Sequence, residues 1–217
     1  MLEKMGEFFD ARLNSYDEHQ LKNINSAEEF YPYTASLLPQ KFDAVILDLG
    51  CGTGLELEYY FKIVPTAKIT GIDLAPGMLN MLKNKFPDKE LKLINDSYFD
   101  VPLGENIFDA AVSVESLHHF TKDEKINLYK KILSALKHKG YFVLTDYFSL
   151  SDEEEKNYGQ ELARLKKEQG LNENEFYHYD TPLTIEHEKE ALFDAGFKSV
   201  EIIKSWGATC ILKATKT

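Results

Sequence analysis

The sequence predicts an α/β fold built on a doubly wound, mostly parallel sheet, and three features of the chain support this prediction. Apolar runs of strand length alternate with helical patterns between residues 44 and 147, as in repeated βαβ units. The first run, AVILDL at 44–49, is almost wholly apolar, which is typical of a parallel strand buried on both faces. The chain ends in two strand-like runs at 197–205 and 208–215, whose short connection allows only an antiparallel hairpin.

Residues 1–40 precede the first strand and are predicted to form a helical cover, or lid. A first amphipathic helix is expected to be interrupted at residues 14–15, where Asn and Ser occur together. A second helix is expected to begin near Ser26, whose hydroxyl can form a capping box with Glu29. Pro39 is expected to end this helix. The lid is therefore predicted to lie outside the sheet.

Residues 41–217 are predicted to form one domain in which strands and helices alternate. The expected strands lie at 44–49, 68–73, 91–95, 108–114, 141–147, 197–205 and 208–215. The expected helices between them lie at 55–64, 76–86, 121–137 and 184–195. Thr121 is a favourable N-cap, while Gly140 and Gly196 are expected to stop the helices that precede them. An insertion at about 151–183 contains a charged helix and an aromatic-rich stretch, NENEFYHYD.

The composition of the chain restricts the classes of partner. The net charge is −11, so the surface is expected to repel the phosphate backbone of nucleic acids. The longest apolar runs are strand-sized and the first residues lack the apolar block of a signal peptide, which predicts no membrane span and a cytoplasmic location. The two cysteines, Cys51 and Cys210, are expected to stay reduced. A small molecule or another protein is therefore the expected partner.

A glycine-rich turn follows the first strand, in the stretch VILDLGCGTG at 45–54. Gly50, Gly52 and Gly54 allow a sharp turn and a close approach of the backbone to a ligand at the start of the next helix. Asp73, at the end of the second strand about 20 residues later, is placed to bind ribose hydroxyls. The last glycine comes one position too early for the dinucleotide fingerprint, so an NAD-linked oxidoreductase is the weaker alternative.

Four segments together resemble class I S-adenosylmethionine (SAM)-dependent methyltransferases. DLGCGTG is similar to the first motif of that family, and GIDLAPGMLNMLK to the segment around its ribose-binding acid. NDSYFDVP with FDAAVSVESLHHF resembles the adenine loop and fourth strand, and LKHKGYFVLTDYF resembles the fifth strand. The resemblance extends from about residue 8 to the C-terminus and is closest to small-molecule enzymes of the ubiquinone/menaquinone-biosynthesis type. It implies a seven-stranded sheet with an antiparallel last strand, SAM as cofactor and a small-molecule methyl acceptor.

The resemblance assigns the methionyl part of SAM to residues at the end of the first strand: Asp48, Gly50, Cys51, Gly52, Thr53 and Gly54. It implies that Asp73 binds the ribose hydroxyls and that Leu74 contacts the adenine. Asp96 is expected to accept a hydrogen bond from the adenine amine, with Ser97 beside the ring. Glu115, at the end of the fourth strand, is expected beside the methionyl part. Taken singly, such acids can also serve only to cap a turn or to end a strand.

Two histidines and one tyrosine are the candidates for contact with the reacting groups. His118 and His119 follow the fourth strand, and either is placed to act as a general base if the acceptor must lose a proton. The alternative is that they cap the next helix or pack under the sheet. Tyr16 is expected to close over the sulfonium, since aromatic faces attract cations, or else to pack within the lid. Glu115, the two histidines and His178 show no metal-ligand spacing along the chain, so no metal is predicted.

Two further functions remain open from the sequence alone. A SAM-binding regulatory or partner protein would keep the cofactor site without turnover, because fold and site do not prove catalysis. An enzyme that uses a modified SAM would need arginines to hold an additional carboxylate, and the chain contains only Arg12 and Arg164. The identity of the acceptor, the methylated atom and the oligomeric state are left undecided by the sequence.

Overall fold

The computed structural model describes residues 1–172 and 175–217 and contains a seven-stranded sheet. The strands are β1 (Val45–Leu49), β2 (Lys68–Asp73), β3 (Glu90–Asn95), β4 (Phe108–Val114), β5 (Leu136–Tyr147), β6 (Ser199–Trp206) and β7 (Thr209–Thr215). Their order in the sheet is β3-β2-β1-β4-β5-β7-β6. Strands β1 to β5 pair in parallel, and β7 runs antiparallel to both β5 and β6. The predicted fold class is thereby confirmed.

Helices cover both faces of the sheet. They are α1 (Met5–Asp10), α2 (Leu13–Asn23), α3 (Ala27–Ser36), α4 (Leu55–Ile63), α5 (Pro76–Lys85), α6 (Lys122–Ala135), α7 (Asp152–Gln169) and α8 (Ile185–Ala195). Side chains alternate along each strand, so Ile46 joins the core with α3 and α4, and Leu47 joins the core with α6 and α8. Both residues are fully buried, which is worth about 1.5–3 kcal/mol for each side chain. No helix in residues 1–172 or 175–217 is long and apolar enough to cross a bilayer.

The N-terminal helices differ from the sequence prediction at two points. The first break falls at residues 11–12, so that residues 14–15 lie inside α2. Ser26 does not cap α3 through its side chain, because its backbone is left-handed with φ +63° and its hydroxyl donates to Asn25 Oδ1 instead. The Ser26 carbonyl accepts the first helical N–H groups, from Glu29 and Phe30. The predicted capping box at Ser26 is therefore wrong.

The end of α6 also differs from the prediction. The capping box at Thr121 forms as expected, with Glu124 as its partner. The helix ends at Ala135, however, and the extended Leu136 begins β5, so Gly140 lies within a strand instead of stopping a helix. The register of β5 shifts at its pairing with β4, between Phe108 and Ala110, where the ladder is irregular. Strand pairing thus begins earlier than the glycine indicated.

Within the predicted helical cover at residues 1–40, α1 and α2 are called the lid from here on. The lid is fastened to the stretch that follows α7. The Met5 N–H donates to the Phe176 carbonyl at 3.0 Å, and the His178 N–H donates to the Glu3 carbonyl at 3.0 Å. The Phe8 ring stacks on the His178 ring, with centroids 3.5 Å apart and planes inclined by 9°. These contacts, which we call the clasp, position the lid over the carboxyl ends of β1 and β2.

Candidate active site

The turn between β1 and α4 brings backbone N–H groups to the carboxyl edge of the sheet. Gly50, Gly52 and Gly54 have φ values of +69°, +48° and +74°, which side-chain-bearing residues rarely adopt. The Gly50 N–H donates to the Ile72 carbonyl at 2.9 Å and ties the turn to β2. A Cβ atom at Gly50 would lie 2.0 Å from Ser116 Oγ, so only glycine fits there. The sequence pattern therefore reflects both backbone conformation and close packing.

Asp73 links this turn to the start of α5. Its Oδ2 accepts the Gly52 N–H at 2.9 Å, and its Oδ1 accepts the Ala75 N–H at 2.8 Å. Burial raises the pKa of Asp73, although these two N–H groups oppose the shift. Asp73 and Leu74 both border a narrow cleft above the turn, where the sequence predicted a ribose and an adenine.

Three buried acidic side chains surround the glycine turn, and their oxygens have few polar partners. Asp48 Oδ2, Glu56 Oε1 and Glu115 Oε1 are buried without a hydrogen-bond partner among the residues that the structure describes. Burial raises the pKa of Asp48 and of Glu56, and burial together with the charge of Asp146 raises the pKa of Glu115 to about 8. Buried polar atoms normally have partners, so this arrangement fits a ligand that carries positive charge. SAM is such a ligand, because its ammonium and sulfonium groups carry positive charge.

The cofactor cleft, as we call this space, is narrow because the lid fills much of it. Its volume is about 40 Å³, whereas ligand pockets usually measure about 300–1,000 Å³. Three lid side chains enter it from above: Met5, Phe9 and Tyr16. Its floor is formed by Gly50, Gly52, Asp73, Leu74 and Glu115. A nucleoside therefore requires these lid side chains to move outward.

A larger space adjoins the cofactor cleft. This histidine cavity has a volume of about 500 Å³ and is lined by His118, His119, His178, Tyr147 and Asp180, among others. It shares four lining residues with the cofactor cleft: Phe9, Tyr16, Glu115 and His119. The two spaces thus meet at the end of β4, beside the histidines that the sequence predicted as candidates for contact with the reacting groups.

His118 is held by a buried carboxylate at the end of β5. Its Nδ1 lies 2.5 Å from Asp146 Oδ1, while Asp146 Oδ2 accepts the Leu117 N–H at 2.9 Å. Burial opposes the charged imidazolium, but the charge and hydrogen bond of Asp146 outweigh it and raise the pKa of His118 to about 9. The same contact keeps the pKa of Asp146 below its usual value despite burial.

His119 has the opposite electrostatic environment. Burial and the neighbouring charge of His118 lower its pKa to about 4, so the ring is neutral near pH 7. His119 Nδ1 lies 3.1 Å from Asp180 Oδ1 and 3.2 Å from the Tyr179 carbonyl oxygen. His118 Nε2 lies 3.7 Å from the same oxygen of Asp180. Both histidines thus face one carboxylate, and these three residues are close enough to hold a metal ion.

Most of the sequence-predicted site residues meet around the two spaces, but some have different surroundings. The Thr53 hydroxyl donates to Asp17 of the lid. The Cys51 sulfur packs below the turn, where a Cβ at Gly71 would lie 2.8 Å from it. Asp96 and Ser97 border a separate groove beyond Met5 and Leu74, outside the cofactor cleft. There Asp96 Oδ1 accepts the Ser97 N–H at 2.7 Å, so their role at the adenine stays a prediction.

Three residues of the site were missed by the sequence analysis. Glu56 lies in the first turn of α4, where an acid is an ordinary helix-start residue. Asp146 was noted only as part of the DYF stretch at the end of the fifth strand. Asp180 belongs to the aromatic-rich stretch, far along the chain from the two histidines. Only the position of Asp146 at a strand end carried a usable signal.

Comparison with known proteins places this site in context. Residues 46–140 match a family described as Methyltransferase domain. The chain is 23% identical over 217 residues to a carboxy-S-adenosyl-L-methionine synthase of Campylobacter fetus, and the match covers 94% of this chain and 92% of that protein. It is 29% identical over 137 residues to a malonyl-[acyl-carrier protein] O-methyltransferase of Bacillus cytotoxicus, covering 56% of this chain and only 47% of that protein.

The fold of the chain is also similar to that of solved structures. The structure of the DhpI–SAH complex superposes with a TM-score of 0.71 at 15% identity and covers 96% of this chain and 93% of that one. At this level of identity the similarity concerns the fold alone.

Proposed function

We propose that this chain is a class I SAM-dependent methyltransferase that transfers the methyl group of SAM to a small molecule held in the histidine cavity, which the match to a methyltransferase domain supports. The observation that supports this proposal best is the junction of the two spaces, which share Phe9, Tyr16, Glu115 and His119. Methyl transfer needs the acceptor atom in line with the methyl group and sulfur, and water excluded from the site. A donor cleft that opens into a covered acceptor cavity meets both requirements.

SAM supplies a methyl group on a positively charged sulfur, and the residues of the cleft have separate tasks in holding it. We expect Asp48, which also hydrogen-bonds to Glu56, and Glu115 to bind its cationic groups, because each has a buried oxygen without a donor among the described residues. Asp73 is expected to bind the ribose hydroxyls with Leu74 next to the adenine. Tyr16 is expected to close the cleft from above.

On the acceptor side, the histidines and aromatic rings define the chemistry. His119 borders both spaces, so it is the residue that we expect nearest the reacting atoms. His118 is held in one orientation by Asp146 and faces the same cavity. The net charge of −11 supports a small-molecule acceptor over a nucleic acid.

Synthesis of a carboxylated SAM is the second candidate, because the similarity to carboxy-S-adenosyl-L-methionine synthase covers nearly both whole chains. The contacts of the two arginines argue against the synthesis of a carboxylated SAM. Arg12, in the turn between α1 and α2, borders the histidine cavity, pairs with Glu3 at 3.0 Å and lies over the Phe8 ring. Arg164 pairs with Glu161 and Glu168 on the exposed surface of α7. Arg12 is thus already paired where it borders the cavity, and Arg164 lines neither space, so we favour methyl transfer.

The proposal is tested by calorimetry with SAM and its demethylated product, S-adenosylhomocysteine (SAH), followed by turnover with labelled SAM. The variant Asp73→Ala is expected to weaken binding about 10-fold to 100-fold, since hydrogen bonds to a charged group contribute about 1.5–3 kcal/mol. Asp88→Ala, a change to an exposed acid, is the matched control and should bind as the wild type does. Unchanged affinity in Asp73→Ala would contradict the ribose assignment.

Turnover then separates the alternative functions. Methyl-labelled SAM incubated with a panel of small hydroxyl, amine, thiol and carboxylate acceptors should give SAH and a labelled product. A new adenosyl product that carries a carboxyl group would support the second candidate. Binding of SAM without turnover across a broad panel would favour a regulatory protein. Binding of NADH without binding of SAM would overturn the proposal.

A further inference from the structure

We propose that His118, His119 and Asp180 bind a divalent transition-metal ion in the wall of the histidine cavity. One ligand atom of each residue lies within 4.8 Å of the other two, and all three residues line the cavity. Asp180 Oδ1 lies 3.1 Å from His119 Nδ1 and 3.7 Å from His118 Nε2. Two ligands of a tetrahedral zinc ion are about 3.4 Å apart, given metal–ligand bonds of about 2.1 Å. The observed spacing therefore needs only a small adjustment of side chains.

The orientation of His118 is that of a metal ligand. A ligating histidine usually donates its other ring N–H to a carboxylate, which fixes the ring and its tautomer. His118 has such a partner, since its Nδ1 lies 2.5 Å from Asp146 Oδ1. An ion that displaces the Nε2 proton while Nδ1 keeps its own would bind at Nε2, which lies 3.7 Å from Asp180 Oδ1. Asp146 is itself fixed by the Leu117 N–H.

The backbone holds the third ligand in place. The Thr181 N–H donates to the His118 carbonyl at 2.7 Å, which anchors the residue after Asp180 to the backbone of the histidine pair. Asp180 Oδ1 is buried and has no hydrogen-bond partner among residues 1–172 and 175–217. The carboxylate also has polar neighbours, since His119 Nδ1 lies 3.1 Å from Oδ1 and the Tyr147 hydroxyl hydrogen-bonds to Asp180. A buried carboxylate oxygen without a well-placed donor, set between two imidazoles, is nevertheless well suited to a cation.

The donor set indicates the kind of ion and the kind of acceptor. Two imidazoles and one carboxylate, without a thiol, suit zinc, cobalt(II), iron(II) or manganese(II). Three protein ligands leave coordination positions open, as in catalytic sites. Resting on the proposed function, this assigns to the acceptor a hydroxyl or carboxylate oxygen that binds the ion. The sequence predicted no metal because the candidate ligands show no metal-ligand spacing along the chain, and Asp180 was not among those candidates.

The test uses Co²⁺ as a spectroscopic probe on the full-length protein after treatment with a chelator. We expect visible absorption bands that saturate at one Co²⁺ per chain and that Zn²⁺ abolishes by competition. His119→Ala and Asp180→Ala should each weaken Co²⁺ binding at least about tenfold, and Asp146→Asn about 10-fold to 100-fold. His178→Ala is the matched control, because its ring centre lies 5.0 Å from that of His119 but outside the ligand cluster.

Calorimetry with SAH on the same metal-free proteins checks that each variant is folded and separates this proposal from the proposed function. A wild type that binds SAH but gives no saturable Co²⁺ spectrum overturns the metal site alone. A wild type that binds Co²⁺ but neither SAM nor SAH overturns the methyl-transfer function and leaves the metal site standing. Equal Co²⁺ affinity in wild type and Asp180→Ala would also refute the metal site, and would leave these residues as an ion-pair network.

Discussion

The clasp predicts how fast the cofactor enters and leaves. Because the cofactor cleft measures only about 40 Å³ with the lid in place, SAM can enter only when the lid opens. The stack of Phe8 on His178 crosses from the lid to the stretch after α7, and the edge-to-face contact of Phe9 with His178 crosses there as well. The contact of Arg12 with Phe8 does not cross it, since both residues move with the lid. Phe8→Ala therefore weakens closure without touching the floor of the cleft.

The expected size follows from the energy of one aromatic pair. Such a pair contributes about 0.5–1.5 kcal/mol beyond the area that it buries. At about 1.4 kcal/mol for each factor of ten, the open state should become about 2-fold to 12-fold more populated. Association and dissociation rates should both rise by that factor. The equilibrium affinity should change much less, because the lid closes over the free and the bound protein alike.

Rapid filter binding with radiolabelled SAM measures both rates. Phe193→Ala on α8 is the matched control, because this phenylalanine is 46% exposed and lies on a different helix. We expect Phe193→Ala to leave both rates unchanged. Unchanged rates in Phe8→Ala as well, with SAM bound at wild-type affinity, would refute the idea that lid opening controls entry.

Three other predictions concern binding and stability. Gly50→Ala is expected to abolish SAH binding in calorimetry, because its Cβ would lie 2.0 Å from Ser116 Oγ; wild-type affinity would contradict this. Lys125→Met should lower the free energy of unfolding in urea by about 3–5 kcal/mol, since buried Glu188 loses its ion-pair partner, and adding Glu188→Leu should recover part of that loss. Burial raises the pKa of Asp48 in the folded protein, so the free energy of unfolding of the wild type should fall as the pH rises above about 4. Asp48→Asn should flatten this pH dependence and raise the free energy of unfolding at pH 7 by at least about 1 kcal/mol. Thermal and urea unfolding will check both effects.

The parts of the molecule that were predictable depend on local sequence. The turn with Gly50 could be predicted because a buried strand, a close turn and a helix leave a pattern within ten residues. Asp73 could be predicted because carboxyl ends of neighbouring parallel strands meet at one edge of the sheet. The alternation predicted a mostly parallel sheet and the short last connection predicted the terminal hairpin, while the seven-stranded sheet with an antiparallel last strand was implied by the family resemblance.

The remaining features depend on contacts between distant segments or on single backbone angles. Ser26 has the residue type of an N-cap, but its positive φ turns the side chain away, and no pattern in the sequence reports that angle. Asp180 reaches the histidine pair through irregular backbone, which has no periodicity to detect. The clasp likewise joins residues near the N-terminus to residues near Tyr177 by two backbone hydrogen bonds.

The stretch around Phe176 and His178 serves two spaces at once. Its backbone fastens the lid, and the His178 side chain lines the cavity proposed for the acceptor. Replacing this stretch to change which acceptor is accepted will therefore also change how long the donor stays bound. Engineering of acceptor selectivity here should be followed by measurements of the residence time of SAM. A wider substrate range and faster dissociation of SAM would arise from the same few side chains.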